Sequence, residues 1–189
     1  MIRDVVNKIK NELIGTFAET KEWFDADNDL LDYIPSNDGW TIRQIAEHIS
    51  LTNHYLLILI RKRVHKAMDM AKKIDYSDLL IDYDVDWKKL DEIGEHGSFY
   101  WNRPMHMEPT GTVVLDEVKR KLDNQLQECL NYLEQMPNGE GVLYKTMMSV
   151  NGLGKIDVYH YILFLSQHAR RHNTQMKKIR KEFQNSKTR

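Results

Sequence analysis

The chain has a single cysteine, Cys129, in 189 residues, so it cannot form an intramolecular disulfide and suits a reducing compartment. Cys129 lies on an apolar helical stripe and reads as a buried structural thiol, not a nucleophile. Proline is scarce as well, and all four residues (Pro35, Pro104, Pro109 and Pro137) fall outside the long periodic segments. An excess of one charge is missing too. Twenty-seven Lys and Arg against 28 Asp and Glu give a net charge of −1, which offers no argument for nucleic acid or anionic membrane as a partner. The basic residues of 177–189 are most simply the solvated end of a helix. No apolar run approaches a membrane span, and the opening Met1-Ile2-Arg3-Asp4 lacks the apolar core of a signal peptide. A cytoplasmic protein is expected. There is no internal repeat or low-complexity tract, and the length suits one domain, residues 1–189, better than two.

Helical periodicity fills most of the chain. Ile2, Val6, Ile9, Leu13, Phe17 and Phe24 mark a first helix over 2–25. Turn chemistry follows around Pro35, Asn37, Asp38 and Gly39. Thr41 and Gln44 then form a capping box, with Trp40 placed to staple onto Ile45, and a second helix runs over 41–73. Its middle, 56–60, is almost wholly apolar and should be buried on most sides or lie at a subunit contact. Periodicity breaks down over 75–111, apart from a short helix near 87–93. A connection this long is rarely mere linker in a compact domain. Its densest part, 99–107, either plugs the end of the helices or walls a ligand pocket. Leu115, Val118, Leu122, Leu126, Cys129, Leu133 and Met136 give a third helix over 112–136, stopped by Pro137 and Gly139. The glycine-rich loop after it has room for a short extended piece near 142–144. Asp157 caps a fourth helix over 156–184.

The fourth helix carries an unusual stripe. Val158, Ile162, Leu165, His168, His172, Met176, Ile179 and Phe183 recur three or four apart, so two histidines occupy positions that bundle helices give to Leu or Ile. At i and i+4 their Cβ atoms stand roughly 5–6 Å apart. Such a pair either grips a cation or is satisfied by hydrogen bonds in the core. His48, inward on the second helix, offers a third nitrogen. Three neutral imidazoles with an open fourth position make a catalytic zinc set.

Four amphipathic helices with one long connection between the second and third imply an all-α four-helix bundle with a crossover. Its residues resemble the DinB/YfiT superfamily of metal-binding bundles. The resemblance is carried by Trp40-Thr41-Ile42-Arg43-Gln44-Ile45-Ala46-Glu47-His48 and by His168-x-x-Arg171-His172-x-x-Gln175, and it covers essentially the whole chain. It implies one divalent ion, zinc or nickel, on His48, His168 and His172. It also implies thiol-dependent transfer with a low-molecular-weight thiol as one activity of the family, and often a homodimer.

Other metal chemistries are excluded by motif. Residues 169–171 read Ala-Arg-Arg, so no His-Glu-x-x-His base is present, and the Glu-x-x-His pairs of di-iron bundles are absent. Two readings remain: an enzyme, a thiol transferase or hydrolase acting on a small molecule, or a non-catalytic structural or sensory metal protein. A fourth protein ligand would favour the second. His160 lies two turns before His168, about 12 Å by helical rise. His54 projects from a different face than His48, and His106 is in the crossover, so an open site is expected. Trp101, Arg103 and His106 from the crossover, with Gln175 on the fourth helix, are the candidate substrate-side residues.

Overall fold

Thr41 caps one of the two longest helices of the chain. In a computed structural model, described here for residues 2–101 and 104–188, its hydroxyl accepts from the backbone N–H of Gln44 while the Gln44 side chain accepts from the backbone N–H of Thr41. This closed capping box starts α3, Ile42–Ala71. The other long helices are α1, Ile2–Glu22, α5, Leu115–Gln135, and α6, Val158–Lys187. Asp157 caps α6 by accepting from the backbone N–H of His160.

The long helices lie close to the expected spans. The first ends at Glu22 and continues only as a 3-10 turn, Trp23–Asp25. The turn stands where expected, with the Asp38 N–H donating to the Pro35 carbonyl, and a one-turn helix, α2, Asn28–Leu31, precedes it with Leu30 and Leu31 buried. One local reading needs correcting. The extended piece lies later than 142–144, which includes part of a 3-10 turn, Glu140–Leu143. It is an antiparallel pair, β1, Thr146–Met148, and β2, Gly154–Ile156, with Met147 opposite Lys155. A left-handed Asn151 and positive-φ Gly152 make the turn between the strands, and Gly154, also at positive φ, opens β2.

The long helices close a ring of contacts in which α6 packs on α1 and α3, and both of those pack on α5. The fold is all-α. A short helix, α4, Trp87–Gly94, covers a further side of α6. Surrounded in this way, α6 buries almost every residue from Val158 to Ala169, as a helix apolar on all sides must. The approach of α4 is close: a Cβ at Gly94 would come within 2.5 Å of the ends of the Arg170 and Gln167 side chains, which would have to move aside.

Buried polar pairs set the register of these helices. Between α1 and α6, Thr20 donates to Asn173 Oδ1 at 3.0 Å, and Asn173 Nδ2 donates to the Thr16 carbonyl at 3.2 Å. Between α3 and α5, Asn53 Nδ2 donates to Gln125 Oε1 at 3.2 Å, and Gln125 Nε2 donates to the Ser50 carbonyl at 2.9 Å. Sliding either pair by one turn would bury donors without acceptors, at about 1–3 kcal/mol each. The apolar middle of α3 divides: Leu57 and Ile60 are in the core, whereas Ile58 and Leu59 are exposed. Cys129 is fully buried, and burial pushes its thiol pKa well up. No helix of the described residues is long and apolar enough to cross a membrane.

Candidate metal centre

His48 projects from the second turn of α3, and His168 and His172 from the middle of α6. All three are buried, at 5%, 2% and 8% exposure. One nitrogen from each ring lies within 4.8 Å of the others. The Nε2 atoms of His168 and His172 are 3.2 Å apart, close to the separation of about 3.4 Å between two nitrogens on one tetrahedral zinc.

The outer nitrogens fix which lone pairs face inward. His48 Nδ1 lies 2.7 Å from the Met107 carbonyl, and His172 Nδ1 lies 2.9 Å from Gln175 Oε1. Both oxygens can only accept, so both Nδ1 atoms carry hydrogen and both Nε2 atoms present lone pairs. Metal-ligating histidines are held in this way by an outer acceptor. His168 Nδ1 is buried with no hydrogen-bond partner. With its proton on Nδ1, the Nε2 lone pairs of His168 and His172 face each other, and a cation between them relieves the repulsion. Burial holds the pKa of His168 well below the usual range, with the neighbouring imidazoles second in importance. Burial likewise brings His172 down to about 3. Both rings are therefore neutral at pH 7, as metal ligands must be. The donor set fits a divalent ion.

The long connection between α3 and α5, expected as a crossover, roofs this cluster. Trp101 stands edge-on to His168 at 5.4 Å and to Phe164 at 5.7 Å, and stacks on Phe99. Trp40, just before the cap of α3, leans on His48 with centroids 4.8 Å apart. Glu47 anchors the far end of the crossover: Oε1 accepts from the backbone N–H and hydroxyl of Thr110, and Oε2 accepts from the N–H of Gly111. Gly111 sits at φ +74°, a left-handed backbone that favours glycine. With three donors on its carboxylate, Glu47 acts as an anchor beside the site. A cavity of about 240 Å³ opens against the three histidines, lined by Trp101, Pro104 and Met107 from the crossover and by Met148 and Val150 from the hairpin. The aromatic stretch of the crossover thus walls a pocket.

The remaining candidates are spread out. Gln175 meets His172, not the cavity. His106 is exposed, with its ring 4.4 Å from that of Tyr55, and is not among the residues lining the cavity. Arg103 lies outside the described residues. His54 is exposed against Tyr55. His160 donates from Nδ1 to buried Asp157 at 2.8 Å, and Tyr83 donates to the other Asp157 oxygen. None of these three joins the cluster. Among the cavity residues that the sequence does not single out as site candidates are Thr52, one turn after His48, and Met148, Ser149 and Val150 of the hairpin. Helical spacing from His48 is the available signal for Thr52. Arg171, directly before His172 and part of the motif around the histidines, also lines the cavity.

No curated protein and no solved structure matches the chain. The model of the DinB superfamily matches residues 12–176, a span that contains all three histidines and both helices that carry them. The chain belongs to the DinB superfamily.

Proposed function

We propose that this protein is a single four-helix bundle with a long crossover that holds one divalent ion, zinc or nickel, on His48, His168 and His172. We further propose that it uses that ion as a thiol transferase or hydrolase on a small molecule. The observation that carries this reading is the convergence of three buried imidazoles, two with inward lone pairs fixed by outer acceptors, on a cavity in the same wall. A bound divalent ion supplies Lewis-acid polarisation of a thiol, water or carbonyl group entering from that side. The protein's own part is to exclude bulk water with Trp40 and Trp101, to keep the imidazoles neutral by burial, and to hold their orientation through Met107 and Gln175. A structural or sensory site would more often be closed by a fourth protein ligand. The described residues bring no further His, Cys, Asp or Glu to the cluster, which favours the catalytic reading.

We also propose a homodimer through the middle of α3, a reading supported by the exposure of Ile58 and Leu59 there.

The test is metal analysis of protein purified without a histidine tag, followed by assay against thiol–electrophile and ester panels. One zinc or nickel per chain, lost in His168→Ala together with turnover, is the expected result. A chain that takes up neither ion overturns the metal centre. A chain that binds the ion but turns over nothing in either panel leaves the structural or sensory role.

A further inference from the structure

The wall of the cavity beside the histidines is mostly apolar, formed by Trp40, Leu56, Trp101, Met107, Met148 and Phe164 among others. Three polar residues interrupt it, Thr52, Ser149 and Arg171, and two of them are buried. Thr52 is 4% exposed, and its Oγ1 is buried with no hydrogen-bond partner. A hydroxyl shut away from water without a partner costs about 1–3 kcal/mol. Arg171 is 8% exposed and makes no ion pair with a carboxylate among the described residues. Its Nη1 donates to the Glu95 carbonyl and, at 3.2 Å, to Ser98 Oγ. Its Nη2 donates to the Phe99 carbonyl at 3.4 Å. The guanidinium lies 5.0 Å from the Phe99 ring centre and 5.4 Å from that of Trp101. Of five N–H donors, the Nε–H and one Nη2–H remain unassigned among the described residues. Carbonyls and ring faces solvate a cation but leave its charge uncompensated, and a buried charge without a countercharge is costly.

We propose that Thr52 Oγ1 and the Arg171 guanidinium form a head-group subsite in this cavity, and that its ligand is a small carboxylate with an apolar body. The carboxylate supplies the countercharge that Arg171 lacks and accepts from the Thr52 hydroxyl. The apolar wall takes the rest of the molecule. Size limits the class. A cavity of about 150 Å³ encloses benzene, so one of about 240 Å³ encloses an aryl or branched alkyl acid of about ten non-hydrogen atoms. A tripeptide-sized thiol is too large and leaves most of its length outside the mouth. The subsite deepens the metal-centre reading and rests on it for the place of the chemistry, but its affinity for the acid comes from Thr52 and Arg171.

The experiment titrates benzoate and its uncharged analogue benzamide into chelator-stripped and zinc-loaded protein, reading tryptophan fluorescence, with zinc content measured in parallel. Benzoate is expected to bind at least tenfold more tightly than benzamide in both forms. The stripped form removes direct coordination as the cause. Thr52→Val, which keeps the shape and removes the hydroxyl, should weaken benzoate about tenfold, and Arg171→Gln should abolish the preference for benzoate. Because Arg171 also holds residues 95–99, loss of folding in that variant leaves the decision to Thr52→Val. Equal binding of the two probes, no benzoate binding at millimolar concentration, or an unchanged Thr52→Val overturns the subsite. Stoichiometric zinc without a benzoate preference overturns the subsite and leaves the metal centre standing. A benzoate preference without zinc uptake supports the subsite and removes the metal centre.

Discussion

His48 Nδ1 lies 2.7 Å from the main-chain carbonyl of Met107, which joins an inward histidine on α3 to the last part of the crossover. The adjacent Glu47 binds the N–H groups of Thr110 and Gly111, only a few residues further on. One turn of helix therefore both faces the cluster and fastens its roof. On α6 the His172–Gln175 pair performs the first of these tasks within a single helix.

Gln175 thus has a specific role open to test. Gln175→Leu removes the acceptor for His172 Nδ1 without touching the cavity wall. Outer partners of this kind are worth about 10–100-fold in metal affinity, so zinc affinity should fall by that factor while helical content is unchanged. Competition with a chromophoric chelator measures it.

Acid should act on the metal-free fold through the same rings. An unfolded histidine titrates near 6.5, whereas burial holds folded His172 at about 3 and His168 well below its usual value. Between those limits the unfolded chain binds more protons than the folded one, so stability rises with pH. It is fully present above about pH 6.5 and is lost as pH falls toward 3, at up to about 1.4 kcal/mol per unit for each such group. Urea melts of chelator-treated protein at pH 7.5 and pH 5 give the comparison. Bound metal should steepen the loss, because protons then compete for the same nitrogens.

The sequence made the long helices legible because the chain states them twice, in the 3.6-residue spacing of apolar side chains and in caps such as Thr41–Gln44 and Asp157. The three histidines were legible for a related reason: they interrupt apolar stripes. Sequence suggests only a short extended piece near 142–144, and the hairpin at 146–156 escapes it because strands of three residues carry almost no periodicity and Asn151 adopts a positive φ that its residue type only permits. Thr52 looks like an ordinary helical threonine in sequence, and only the burial of its hydroxyl without a partner marks it. Arg171 belongs to the motif around the histidines, but its burial without a carboxylate partner shows only in the fold. The positions of His106 and Gln175 relative to the cavity depended on the path of an aperiodic segment and on the rotation of one side chain, neither of which spacing encodes.

Glu47→Gln should loosen the roof. It replaces a carboxylate that accepts three hydrogen bonds with an amide that offers one acceptor oxygen, and charge-assisted bonds of this kind are worth about 1.5–3 kcal/mol. Hydrogen exchange at Thr110 and Gly111 should accelerate roughly tenfold or more while α1 and α5 stay protected. Unchanged exchange at those amides would show that Glu47 does not anchor the crossover.

Self-association can be read by light scattering. If Ile58 and Leu59 form a dimer surface, Leu59→Lys should shift the protein from about twice the chain mass to the chain mass at micromolar concentration. A monomeric parent at high micromolar concentration contradicts the dimer.

The most direct measurement is anomalous diffraction at the zinc edge from crystals grown with zinc. One peak per chain at about 2.0–2.1 Å from a ring nitrogen of each of His48, His168 and His172 is the expected result. A cluster without a peak, with zinc elsewhere or absent, contradicts the account.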